Sequence, residues 1–263
     1  MRRLQLLEIH EQPWFPSSVR DEITNILEFA LNVSNAYSAT VPLLEKALHS
    51  TRDHCIVDLC SGGGGPWLSL LRKLKTNGQS VRVCLTDKYP NFEAFENARS
   101  ILEDISFHPE PVEATQVPLE LNGFRTMFTS FHHFPKGEAQ AILRGSVDAR
   151  QGIAIFEITR RAPSTIGLMF VWALTPFLFT LFIRPFRWSR FLWTYVIPLI
   201  PFVLLFDGVV SCFRTYRPRE LEELIEALGG AGYEWETGEC QSESGLFRIT
   251  YLTGYPPAGT SFN

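Results

Sequence analysis

Cysteine is scarce and poorly spaced for structural work. Cys55, Cys60, Cys84, Cys212 and Cys240 make an odd number, and no pair stands at C-x-x-C spacing. That excludes a disulfide framework and a zinc-ribbon arrangement, and leaves reduced, mostly buried thiols as the expectation. Basic runs are also missing. Lys and Arg total 24 against 28 Asp and Glu, a net charge of −4. Nothing offers a stripe that tracks phosphates, so nucleic acid is not an expected partner. No cluster of metal ligands is visible along the chain, and none is expected. The opening Leu-Gln-Leu-Leu-Glu-Ile-His-Glu is too short and too charged for a leader core. The expectation is a cytoplasmic protein, peripheral on the inner face of a membrane.

What is present is alternation. The first fifty residues read as helices, with apolar spacing over 21–31 and again over 41–48. Apolar strand-like runs follow at 54–59, 81–86, 110–114, 124–130 and 152–158, separated by helical periods at 66–74, 91–102 and 137–144. Strands alternating with helices imply parallel pairing with right-handed crossovers. A helix over 219–228 ends at Gly229-Gly230, and 233–239 and 247–253 flank a polar turn, a hairpin signature. The expected fold class is α/β: a doubly wound Rossmann-like sheet, mostly parallel, with an antiparallel C-terminal hairpin strand. Residues 1–50 form an N-terminal helical cap. Residues 51–263 form the main domain, with an apolar helical insertion at 164–213.

The most specific signal is Ile56-Val57-Asp58-Leu59-Cys60-Ser61-Gly62-Gly63-Gly64-Gly65, a strand running into a glycine turn and then a helix. Glycine serves where backbone approaches a ligand closely or takes positive φ. The dinucleotide fingerprint G-x-G-x-x-G fails here, because its third glycine would fall on Trp67 or Leu68. A second signal is Leu85-Thr86-Asp87, with the acid 23 positions after Gly64, close to the spacing at which a carboxylate reaches ribose hydroxyls. Further on come Val112-Glu113-Ala114-Thr115-Gln116-Val117-Pro118 and Ser130-Phe131-His132-His133-Phe134.

In this order, these four segments resemble the motifs of class I S-adenosylmethionine-dependent methyltransferases. Asp58, Gly62 and Gly64 match the family's D-x-G-x-G-x-G loop, while Cys60 replaces its first glycine and fits if φ is negative. Glu113 replaces the usual Asp of the segment that borders adenine. The resemblance implies S-adenosylmethionine as cofactor. It implies cofactor contacts at Asp58, Cys60, Gly62, Gly64, Asp87, Glu113, Ala114, Ser130 and Phe131, with Tyr37 as a contact to the methionine carboxylate. His132 and His133 are candidate bases, since imidazole titrates near neutrality. Asp207, a lone acid after an apolar run, is a third catalytic candidate or a structural ion pair, with Arg214 as its partner.

The uncharged runs 165–183 and 191–206 flank Arg184-Pro185-Phe186-Arg187-Trp188-Ser189-Arg190. The pairing of this core with such a segment resembles uncharacterised bacterial methyltransferases, and implies no particular substrate. The first run is long enough for a bilayer and the second is short. A two-pass anchor would put three arginines on the far side, against the positive-inside tendency. Pro176, Pro198 and Pro201 interrupt its helices. The expectation is a helical hairpin that covers an apolar pocket, dips into one leaflet, or meets a second copy in a homodimer. Trp188, Tyr195 and Arg214 are the expected substrate-binding residues, and the arginines could meet anionic head groups. The reading is methyl transfer to oxygen, carbon or nitrogen of a hydrophobic small molecule, such as a lipid, quinone, polyketide or pigment precursor. Rivals are a non-catalytic membrane adaptor that keeps the cofactor fold, and cyclopropanation of lipid chains with the same cofactor.

Overall fold

The computed structural model describes residues 1–229 and 232–257. Seven strands form one sheet in the order β3-β2-β1-β4-β5-β7-β6. β1 (Cys55–Asp58) pairs in parallel with β2 (Arg82–Leu85) on one side and with β4 (Phe124–Phe128) on the other. β2 continues to β3 (Ile105–Phe107), and β4 to β5 (Ile153–Glu157), again in parallel. Every residue of β4 and β5 is buried, which is why these strands read as continuous apolar runs rather than alternating ones. β7 (Arg248–Tyr255) inserts antiparallel between β5 and β6 (Glu234–Gln241). The expected C-terminal hairpin is thus present, turning over Gly245 with φ +73°.

Helices cover both faces. One apolar cluster packs α2 (Val41–Thr51) and α3 (Trp67–Thr76) against the sheet. The opposite cluster uses α5 (Lys136–Asp148) and α10 (Pro218–Glu226), whereas α4 (Phe92–Ile101) joins the first through Phe95 and Ala98. Crossovers leave β1 in opposite directions, toward β2 and toward β4. That reversal opens a crevice at the carboxyl ends of these strands.

A third apolar cluster lies over this crevice. In it Phe15, Val19, Ile23 and Ile26 pack on Ile183, Ile200, Val203 and Leu204. It joins α1 (Ser17–Val33) to the apolar block, which folds as α6 (Pro163–Trp172), α7 (Thr175–Phe179), α8 (Trp188–Phe191), a π turn over Leu192–Val196, and α9 (Leu199–Arg214). No single helix among the described residues is long and apolar enough to cross a membrane, although Trp188–Val196 and Leu199–Arg214 together pass on length and composition with a 73° bend between them.

Four expectations need correction. The strand placed at 110–114 is loop, and β3 instead lies at Ile105–Phe107. Pro109 and Pro111 cannot donate to a ladder, and the Val112 amide donates to the Asp87 carbonyl at 2.8 Å. Residues 1–12 are irregular rather than helical and run on with the turn at 13–16 as a strap. The insertion folds as four helices and a π turn rather than a simple hairpin, with Pro176 and Pro201 in the first turns of α7 and α9 and Pro198 just before α9. Finally, α10 ends before Gly229, at φ +73°, while Gly230 lies outside the described residues.

Candidate active site

At the end of β1, Asp58 turns into the protein. Its carboxylate accepts hydrogen bonds from Thr126 Oγ1 at 2.6 Å and Ser61 Oγ at 2.7 Å. Burial pushes its pKa up to about 7, against the opposing effect of those hydroxyls. Asp58 therefore ties the glycine loop to β1 and β4. Cys60 takes φ +58°, contrary to the negative φ that its side chain was expected to require. Burial, followed by the charge of Asp87, raises its thiol pKa well above the usual value, so it stays protonated. Thr129, at the end of β4, is also left-handed at φ +45°. Non-glycine residues held this way concentrate at functional sites.

The loop then passes α1 so closely that a Cβ on Gly63 would stand 2.6 Å from the Thr24 carbonyl oxygen. Gly64, at φ +116°, uses the freedom that only glycine has. Asp87, at the end of β2, accepts from the Gly62 amide and the Tyr89 amide, each at 2.7 Å. Burial raises its pKa despite these bonds. Each carboxylate oxygen keeps a lone pair.

The strap brings further groups. Glu8 is fully buried; Ser211 Oγ donates to it at 3.0 Å, and Arg214 Nη1 lies 3.3 Å from the same oxygen. Burial alone would raise its pKa, but the neighbouring imidazoles of His133 and His132 more than offset this and hold it well below the carboxylate range. His132 presents Nδ1 to Glu157 at 2.8 Å. Burial would lower its pKa, yet Glu157 and Glu8 push it up to about 9. His133 presents Nδ1 to Glu11 at 2.5 Å. Asp207 is taken up by the strap: it accepts from the amides of Ile9 and His10 and pairs with His10 Nδ1 at 2.7 Å. Arg214 pairs with Glu11 at 2.6 Å and not with Asp207 as expected.

These groups surround one cavity of about 530 Å³, within the usual size range of small-molecule sites. Asp58, Cys60, Gly62, Asp87, Glu113, Ala114, Ser130, His132, His133 and Asp207 line it. Six other candidates do not. Gly64 lies behind the loop. Tyr37 is sealed under β4, edge-on to Phe128, with its hydroxyl on Thr129. Phe131 packs on Tyr216, and Arg214 sits behind the strap. Trp188 is 76% exposed on the outer side of the insertion, and the Tyr195 hydroxyl donates to the Phe177 carbonyl at 2.5 Å. Glu8, His132 and His133, for which no metal role was expected, place one donor atom each within 4.8 Å of one another. Glu8, His10 and Glu11 escaped sequence reasoning because their partners lie more than a hundred positions away; the only signal was an unusually polar Glu-Ile-His-Glu.

Glu28, from α1, also lines the cavity. Burial pushes its pKa up to about 8, partly countered by a hydrogen bond from Asn32. The folded protein then holds a proton that the unfolded chain releases near 4.5. Its contribution is intact below that pH and is lost as the pH rises toward 8, because the folded state binds more protons over this interval. Melting temperatures between pH 5 and 8 should therefore fall less steeply in Glu28→Gln than in the parent; an unchanged slope would contradict the assignment.

No protein-family model matches the sequence, and no curated protein does. Solved structures match the fold. The plantazolicin methyltransferase BpumL in complex with SAH is 10% identical, with 91% of this chain and 96% of that one covered at a TM-score of 0.51. The S-adenosylmethionine-dependent methyltransferase SibL in its apo form is 15% identical, with 87% and 58% covered at 0.50. An O-methyltransferase family protein from Burkholderia thailandensis is 13% identical, with 88% and 60% covered at 0.49. The chain spans about three fifths of the length of the latter two. At such identities the likeness is one of fold: the chain has the class I methyltransferase fold.

Proposed function

We propose that the protein is an S-adenosylmethionine-dependent methyltransferase whose acceptor is a hydrophobic small molecule. One observation carries this reading: the cavity that begins at the glycine loop and Asp87 continues between α1 and the insertion, where Ile23, Leu27, Phe128, Met169, Trp172 and Leu204 line it. The residues present fit the cofactor. The loop backbone is exposed to the cavity, Asp87 retains acceptor capacity for a ribose diol, and the buried Ser130 hydroxyl has no hydrogen-bond partner of its own.

The cofactor supplies an activated methyl group when bound. The chain's own contribution is to bind, orient and exclude water, which suits an in-line displacement. Asp58 fixes the loop. The strap and insertion close the space over it, keeping the two reactants dry. His132 and His133 line the cavity beside Glu8, where they can orient an acceptor.

Incubation with methyl-deuterated cofactor and a panel of apolar phenols, quinols and hydroxylated lipids tests the reading by mass spectrometry. A labelled methyl product is expected, reduced about a hundredfold in Asp87→Ala, as loss of two charge-assisted hydrogen bonds predicts. A ring carbon in place of a methyl group would indicate cyclopropanation. Cofactor binding with no product would favour the adaptor reading.

The outer face of the insertion bears on where an apolar acceptor comes from. Among the described residues, 14 of the 24 exposed large apolar side chains lie between Phe170 and Phe206. A patch of this kind marks a docking site. We assign it to a lipid surface, because the same helices that expose it also wall the cavity. Of the three arginines expected at head groups, only Arg184 is free to serve: Arg190 is buried on Glu22 and Arg187 pairs with Glu93. Flotation with anionic vesicles should carry the protein up the gradient, and Phe182→Asp/Trp188→Asp should leave it at the bottom. A stable dimer by light scattering, indifferent to vesicles, would overturn the assignment.

A further inference from the structure

We propose that Glu8, His132 and His133 bind a divalent metal ion in the wall of the cavity. His132 Nε2 lies 3.5 Å from Glu8 Oε1, and His133 Nε2 lies 3.6 Å from Glu8 Oε2. One donor atom from each residue falls within 4.8 Å of the others. These separations are too long for hydrogen bonds, which run about 2.7–3.2 Å. The 3.6 Å between His133 Nε2 and Glu8 Oε2 is the spacing that neighbouring ligands take around one ion, since metal–ligand bonds of about 2.0–2.2 Å in a tetrahedral site place donors about 3.3–3.6 Å apart.

The hydrogen bonds around the cluster point the same way. Glu8 Oε2 and His132 Nε2 have no hydrogen-bond partner, although their side chains are 0% and 1% exposed. Buried polar atoms are rarely left so. Each imidazole is held through its other nitrogen by a carboxylate: His132 Nδ1 by Glu157 and His133 Nδ1 by Glu11. With Nδ1 held by a carboxylate, Nε2 is the nitrogen turned toward Glu8, and an ion that displaces its proton would meet the arrangement that orients metal-binding histidines. Ser211 and Arg214 engage Glu8 Oε1, so Oε2 is the oxygen left for the ion. Glu8, Glu11, Glu157 and Asp207 converge on these imidazoles and on His10, with Arg214 on Glu8 and Glu11.

Two imidazoles and one carboxylate favour zinc or another late first-row ion over magnesium or calcium. All three ligands line the cavity, so the remaining coordination position is open to water or to an acceptor oxygen, as in catalytic rather than structural sites. An acceptor hydroxyl bound there loses its proton more easily; that consequence rests on the methyl-transfer reading, whereas the site itself does not.

The test uses the full chain, stripped with chelator and titrated with Co²⁺ without cofactor, followed by displacement with Zn²⁺. One equivalent should bind with a visible d–d band. His133→Ala and Glu8→Gln should each weaken binding by more than the roughly 10–100-fold that outer partners produce, while His54→Ala, at an exposed histidine, should not. Cooperative melting of each variant shows that it folds, and His133, partly exposed, is the safer of the two ligands to replace. Binding well below one equivalent in folded protein, or equal affinity in His133→Ala and His54→Ala, would overturn the site. Cofactor binding in a folded protein that takes up no Co²⁺ would remove the site and leave the proposed function standing.

Discussion

Arg190→Met is expected to destabilise the protein by about 3–5 kcal/mol, the cost of leaving one partner of a buried ion pair alone. Arg190 is 1% exposed and Glu22 is fully buried; Nε lies 2.5 Å from Glu22 Oε2, and Nη1 donates to the Ile183 carbonyl at 3.2 Å. The pair joins the insertion to α1 beside the apolar cluster of Ile23 and Ile200. Removal of the guanidinium strands the Glu22 charge in that setting, with Arg187 at 3.7 Å as partial compensation. For a chain of this size the midpoint of thermal unfolding should fall by roughly 10 °C. The double variant Glu22→Leu/Arg190→Met should recover most of the loss, because an apolar pair of similar volume replaces buried ions at little cost. Equal destabilisation in both variants would show that packing, not the charge pair, holds the insertion.

Gly63→Val should abolish S-adenosylhomocysteine binding, with affinity reduced more than about a hundredfold. The new Cβ would meet backbone, the Thr24 carbonyl oxygen at 2.6 Å and carbon at 2.9 Å. Neither can swing aside, so the loop or α1 must move, and about 1–3 kcal/mol of stability is lost as in other overpacked sites. Gly62→Ala is the milder comparison. Its Cβ would find only the Thr24 side chain at 3.5 Å, and its cost is the strain of φ +57° alone. Equal binding in Gly63→Val and the parent would show that the loop's contact with α1 does not shape the site.

The sheet was legible because its central strands are buried on both faces and so carry uninterrupted apolar runs. Ile56-Val57, Phe124 to Phe128 and Ile153 to Phe156 read as strands without ambiguity. β3 did not, since three residues at a sheet edge carry too little pattern, and the prolines that follow blur it. Short-range chemistry was legible in the same way: Asp58, the glycines and Asp87 are local to β1 and β2. The groups that converge from afar were not. Glu8 meets His132 across 124 positions, and only the folded strap brings them together. The apolar block shows a third limit. Its composition marked it as unusual, but whether an arginine there is exposed or buried depends on whether Glu22 faces it, and that depends on how the insertion docks.

Calorimetric titration of S-adenosylhomocysteine into the detergent-free protein, alongside Asp87→Ala, tests the central claim most directly. Micromolar binding to the parent, lost in the variant, is the predicted result. Absence of binding to cooperatively folded parent protein would contradict it and reduce the glycine loop to a structural remnant.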